Sequence, residues 1–250
     1  MFTPQERDRV REQLLRAAEA DPAITAAAIT GSHAVGAADR WSDIDLAFAV
    51  DGGLDAALER WTELVHRDFS ALHHWDLRSG AAVYRVFLLP GRLEVDLAFV
   101  PAAEFGPHGP SWRTVFGEAG RTAPAVPPTP DHLTGLAWHH ALHARVCIER
   151  QRWWQAHYWI GAVRDQVIAL ACLRLGHPAD YAKGAHLLPD EVTAPLAATL
   201  VRSLAEPELR RALTAVSSAL AAELQLTDPA LAARLQPVLE PHGPDPRSDG

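Results

Sequence analysis

Two aspartates separated by a single residue, Asp43 and Asp45, follow a Gly31-Ser32 pair by about ten residues. In an extended chain side chains alternate, so these two carboxylates point to one side while Ile44 and Leu46 point to the other. Like charges held that close are unfavourable unless a cation neutralises them, and hard oxygen ligands suit Mg²⁺ or Mn²⁺ better than zinc. A third acid comes from Leu93-Glu94-Val95-Asp96-Leu97, where Asp96 sits among apolar residues and needs a partner. Glu94 shares its side of the strand by the same alternation. Gly31-Ser32 has its own logic: glycine lets backbone approach a ligand, and a following helix offers free N–H groups to an anion. With a divalent ion on the aspartates, a nucleoside triphosphate would be gripped from both ends and its α-phosphorus exposed to in-line attack. The chemistry implied is transfer of a nucleotidyl group to an acceptor hydroxyl, with Asp96 or Glu94 taking the hydroxyl proton.

The elements that must position these groups follow from periodicity. Residues 4–20 have helical spacing and stop at Asp21-Pro22. Residues 24–30 and 44–50 are short apolar runs that suit buried strands on either side of the glycine-serine turn. Residues 54–69 place Leu54, Leu58, Trp61, Leu64 and Val65 on one face of a helix. Strands follow at 82–89 and 93–100, joined by Pro90-Gly91 in a hairpin-like connection, with a further short strand at 72–77. Prolines 101, 107, 110, 124, 127, 128 and 130 make residues 101–130 a connecting segment. Beyond it, helices are expected at 131–151, 153–175, 189–204, 207–223 and 228–239. The implied architecture is α+β: an N-terminal mixed β-sheet domain with flanking helices at 1–120, a C-terminal helical bundle at 121–240, and a flexible tail at 241–250.

Composition narrows the function classes. The chain has 250 residues, a formal charge of −8 and two cysteines, Cys147 and Cys172, in helical surroundings. Neither a disulfide framework nor a four-thiolate zinc site is available. Of the 23 basic residues 22 are arginine, Lys183 being the one lysine, and no basic stripe suits a duplex nucleic acid. The acidic balance favours a cationic substrate. A charged N-terminus and the lack of a long apolar run imply a cytoplasmic protein that neither enters nor crosses a membrane, as a monomer or homodimer.

Gly31-Ser32, Asp43-x-Asp45 and a later strand acid together resemble the polymerase-beta-type nucleotidyltransferase superfamily, over residues 24 to 100. Within it, the size and the trailing helical domain are similar to the aminoglycoside nucleotidyltransferases of the streptomycin and spectinomycin type. The resemblance implies Asp43 and Asp45 as metal ligands, with the third carboxylate at Asp96, or at Glu94 of Leu93-Glu94-Val95 as in the streptomycin and spectinomycin group, Asp96 being preferred. It implies Gly31, Ser32, Ser42, Asp43 and Asp45 in nucleotide binding, with Arg164 and Lys183 of the helical domain holding the triphosphate. Asp96, Glu94 or Glu149 would be the general base. The expected activity is Mg²⁺- or Mn²⁺-dependent transfer of AMP from ATP, or of another NMP from its NTP, to a hydroxyl of a small molecule, with an aminoglycoside-like antibiotic as first candidate. The alternatives are nucleotidylation of a protein partner, as antitoxins do, and a non-catalytic regulator that binds Mg-NTP. The helical half has other features. His139 and His143 stand at the i,i+4 spacing of a metal pair, but no glutamate lies between them, and an amphipathic interdomain face accounts for them. Glu149 is also explained by salt pairing with Arg145 or Arg152, and His33 by a structural role.

Overall fold

The computed structural model describes residues 1–120 and 128–239. It divides into two compact units, Met1–Ala125 and Val126–Gly250. The fold is α+β, with strands in the first unit and a run of helices in the second.

In the first unit α1 (Pro4–Ala20) opens with a capping box, in which Thr3 and Glu6 exchange hydrogen bonds with each other's backbone. Then come β1 (Ile24–Thr30), a single helical turn α2 (Gly31–Ala34), β2 (Ile44–Val50) and α3 (Leu54–Phe69). Strands β3 (His73–Ser79), β4 (Ala82–Leu89), β5 (Leu93–Pro101) and β6 (Trp112–Phe116) complete a six-stranded sheet in the order β3-β4-β5-β2-β1-β6. Only β2 and β5 run parallel; the other pairs are antiparallel.

Alternation gives the sheet two unlike faces. On one, Ile44, Leu46, Phe48, Val95, Leu97 and Phe99 pack with Leu14 of α1 and with Leu58, Trp61 and Val65 of α3. Trp61 lies 4.7 Å from Phe48 and 5.9 Å from Phe99 between ring centroids. Burying each of these side chains contributes on the order of 2–3 kcal/mol. The opposite face is lined by Ala26, Ala28, Ala47, Ala49 and Ala98, with Phe105 laid on it. Small side chains leave that face shallow, and the acids of the candidate site stand on it.

Three expectations are corrected. Residues 101–130 are not connection alone, since β6 pairs with β1 from Thr30↔Trp112 to Ala27↔Phe116. Five residues between Pro110 and Gly117 are too short for a periodic signal. Gly117 is required where it stands: its φ is +71° and a Cβ would lie 2.3 Å from the Thr25 carbonyl. The Pro90-Gly91 link closes a hairpin, with Leu89 paired to Leu93, but takes three residues, Pro90–Arg92, as a 3₁₀ turn. The helix expected at 189–204 covers only Asp190–Ala197, because Arg211 takes the carbonyls of Ala198 and Leu200 at 2.5 and 2.8 Å and holds the chain outside a helix.

The second unit contains α4 (Pro130–Glu149), α5 (Trp153–Leu175), α6 (Asp190–Ala197), α7 (Glu206–Thr227) and α8 (Pro229–Leu239). Its core joins Ala137, Ala144, Ile148, Ile160, Val163, Leu209, Val216 and Leu220. Arg174 and the buried Glu223 form a two-pronged ion pair at 2.7 and 2.9 Å, so the buried carboxylate is matched. The tail expected at 241–250 and the prolines at 124 and 127 lie outside the described residues.

Candidate active site

Strand register brings the acids together. Asp45 and Asp96 are in-register partners across the parallel pair β2–β5, so their side chains leave the sheet side by side on the shallow face. Glu94, two residues before Asp96 on β5, shares its face by alternation, and Asp43, in the residue just before β2, is near enough for its charge to act on Asp96. The β1–α2 junction closes the group from the next strand. Gly31 has φ +62°, and a Cβ there would fall 2.0 Å from Asp45 Oδ2, so backbone alone fits against that carboxylate. Any side chain at Gly31 would be both strained and in collision.

The electrostatics record the crowding. Burial, the charge on Asp43 and the charge on Glu94 push the Asp96 carboxyl up to about 6. Across the strand boundary Tyr84 of β4 also titrates above its usual range, through burial and then the charge on Asp96. Asp96 Oδ1 is buried without a hydrogen-bond partner. Two more of the five such side-chain atoms among the described residues, Ser32 Oγ and His33 Nε2, lie on the adjoining turn. Buried polar atoms without partners are rare in native folds, and their concentration on two neighbouring segments marks a place prepared for a ligand.

His33 carries a further consequence. Arg11 Nη1 lies 2.8 Å from its Nδ1, and a guanidinium can only donate, so Nδ1 accepts and Nε2 carries the proton. Burial, then Arg11 and Arg7, lower its pKa and keep the ring neutral. The turn therefore holds two unsatisfied donors, the Ser32 hydroxyl and His33 Nε2–H, beside the acids. The single turn α2 presents its first amides there without a side-chain cap on Thr30. Arg7, 5% exposed, fixes the loop that follows by donating Nη1 to the carbonyls of Asp39 at 2.5 Å and Ser42 at 3.1 Å. The Ser42 hydroxyl is occupied inside the loop, accepting from the Asp39 amide at 2.9 Å and donating to its carboxylate at 3.1 Å. That arrangement sets how the chain enters Asp43.

A divalent ion suits this donor set in a particular way. Among the described residues no three His, Cys, Asp or Glu side chains converge as a complete cage. Mg²⁺ does not need one, because it commonly takes one or two carboxylates and completes its octahedron with water and substrate phosphates. Asp45 and Asp96 abreast, with Asp43 beside them and Asp96 Oδ1 unpartnered, fit that partial kind of site.

The remaining expected residues lie in the second unit. Glu149 ends α4 with its carboxylate 2.8 Å from Arg210 Nη1, and Arg210 holds its pKa below the usual range. The charge on Arg145 lowers it further. Arg164 is half-buried on α5. Lys183 is exposed just after the 3₁₀ turn Asp180–Ala182, 6.0 Å from the Tyr181 ring centroid. His139 and His143 contact each other and, through His143, stack on Trp159 at 5.1 Å. The structure thus gathers Gly31, Ser32, Asp43, Asp45, Glu94 and Asp96, and sets Glu149, Arg164 and Lys183 in the helical unit.

Sequence reading missed the part played by Arg7, Arg11 and Tyr84 and gave His33 a structural role. Only His33 had a local signal, its adjacency to Gly31-Ser32. A cleft of about 640 Å³ lined by Asp21, Arg60, Trp61 and Arg67 lies at the opposite end of β1, where Trp61 Nε1 donates to Asp21 at 3.0 Å.

No family model and no curated protein sequence matches the chain. Among solved structures, an aminoglycoside 6-adenyltransferase from Bacillus subtilis is similar over 98% of this chain and 94% of that one, at 12% identity and a TM-score of 0.34.

Proposed function

We propose that the chain is a metal-dependent nucleotidyltransferase that moves an NMP, AMP from ATP in the first instance, to a hydroxyl of a small molecule. The observation that carries this reading is the set of unpartnered buried atoms, Ser32 Oγ, His33 Nε2 and Asp96 Oδ1, around in-register Asp45 and Asp96. Donors for an anion stand beside acids for a cation, which is the polarity of a magnesium–triphosphate.

Asp43 and Asp45 would hold Mg²⁺ or Mn²⁺, with Asp96 as third ligand or base. Such an ion, when bound, offsets phosphate charge and draws electron density from the α-phosphorus. The chain's own groups do the rest. The Gly31 backbone and the Ser32 and His33 donors take phosphate oxygens and orient the triphosphate. Asp96, raised to about 6, accepts a proton at neutral pH yet is basic enough to be useful there. The acceptor oxygen then bonds to the α-phosphorus while the bond to the bridging oxygen breaks, and pyrophosphate leaves. Glu94, exposed at the rim, is placed to meet a cationic acceptor. Residues 1–120 make up the catalytic domain in this reading and 121–240 the helical domain, where Glu149 is ion-paired with Arg210.

The test is pyrophosphate release from each NTP with Mg²⁺ across aminoglycosides and other hydroxylated amines, in wild type and in the Asp43→Asn/Asp45→Asn variant. Acceptor-dependent release that falls at least about 10³-fold in the variant is expected. Release that survives the double substitution overturns the assignment.

A further inference from the structure

We infer that the acceptor is a ring-bearing amino alcohol whose flat apolar ring rests on the open face of β3 and β4 beside the acids. Register carries the argument. Trp75 of β3 pairs with Val86 of β4, Val86 with Asp96 of β5, and Asp96 with Asp45 of β2. These four side chains form one straight row across four strands on one face. With strands about 4.8 Å apart, the Trp75 backbone lies about 10 Å from that of Asp96. The next row runs Leu77, Tyr84, Ala98, Ala47, and the row before it His73, Leu88, Glu94.

This wing is apolar and open. Trp75 is 54% exposed, Leu77 50% and Leu88 43%, with Val86 and Tyr84 half-buried between them. The charges of β3 face the other way, where Asp76 pairs with Arg85, which also reaches Leu58 and Thr62 of α3. Single exposed apolar side chains are ordinary, but a contiguous set on an edge strand with no blunting charge on its own face is a binding surface. It continues without a break into the acids, and Glu94 at the junction supplies charge for an ammonium. The occupant those neighbours select has a ring for Trp75 and Leu88, an amine for Glu94, and a hydroxyl that reaches Asp96.

The hydroxyl's fate rests on the nucleotidyl-transfer reading, whereas the ring's seat does not, so the two can fail separately. The experiment compares phenylalaninol with alaninol, which differ by the ring alone, by NMR titration of the full chain with Mg²⁺ and a non-hydrolysable ATP analogue. Wild type should bind phenylalaninol about tenfold more tightly. Trp75→Ala should erase that difference, Trp75→Phe should restore it, and ATP-analogue affinity should stay constant in both as evidence of folding. Equal binding of the two probes by wild type, or a preference that persists in Trp75→Ala, overturns the inference. So does a Trp75-dependent dimer in sedimentation with no ring preference, which would assign the face to a second copy. Pyrophosphate release reports on the chemistry independently.

Discussion

Asp96 is a carboxyl that its own fold disfavours as an anion. Its folded pKa is about 6, against an ordinary value of 3.8, so the folded state binds its proton more tightly than the unfolded chain does. Between about pH 4 and 6 the unfolded chain releases that proton first, and the metal-free protein loses stability as pH rises. At neutral pH the loss is on the order of 1–3 kcal/mol. Asp96→Asn removes the titration, so in chelator it should melt several degrees above wild type at pH 7 and level with it at pH 4. Adding Mg²⁺ should raise the wild-type melting temperature at pH 7 more than that of the variant, which keeps Asp43 and Asp45 but has no third carboxylate to neutralise. A variant that melts lower than wild type at pH 7 would mean that the carboxylate has a native partner worth more than its burial costs. That Glu94 and Asp96 share a face was readable without any structure, because period-two alternation within a strand is local. The orphaned donors on Ser32 and His33 were not, since whether a hydroxyl or ring nitrogen finds a partner depends on what packs over it.

At the scale of elements, α1 acts on the site from a distance in sequence. Arg7 spans 35 residues to the Ser42 carbonyl and 32 to that of Asp39, and it is the buried anchor of the loop between α2 and β2. Arg7→Met keeps most of the apolar stem but leaves two carbonyls without their donor, at a cost of about 2–4 kcal/mol. Amide exchange over residues 37–43 should quicken, pyrophosphate release should fall with it, and Arg7→Lys should recover part of both. Unchanged exchange in Arg7→Met would show that the Asp39–Ser42 bonds hold the loop by themselves. No local pattern signals such a bond, and the same holds for β6 and for the row from Trp75 to Asp45. β6 depends on pairing back with the distant β1, and the row on β5 pairing with the non-consecutive β2, where Phe48 and Phe99 are buried against Trp61. Strands and helices with clear periods were readable; which strand lies beside which was not.

At the scale of the molecule, the two units have separate cores, one centred on Trp61, Phe48 and Phe99, the other on the alanine-rich contacts of α4, α5 and α7. Every group assigned here to metal and phosphate binding belongs to the first, and Arg164 and Lys183 belong to the second. A chain of residues 1–120 has a complete sheet, both flanking helices and the capping box at its start, so it should fold alone with a cooperative melt. Mg²⁺ with ATP should raise its melting temperature in the way expected of a ligand that binds only the native state, by an amount that grows with the logarithm of ligand concentration. ATP without Mg²⁺ should do much less, since the triphosphate would then face Asp43, Asp45 and Asp96 unscreened. If the isolated unit folds yet gains nothing from Mg²⁺–ATP while the full chain does, the decisive phosphate contacts belong to Arg164 or Lys183, and Arg164→Ala and Lys183→Ala in the full chain would say which. If it gains as much as the full chain, nucleotide binding is a property of the sheet and its glycine turn alone, and the helical unit's contribution lies elsewhere in the reaction.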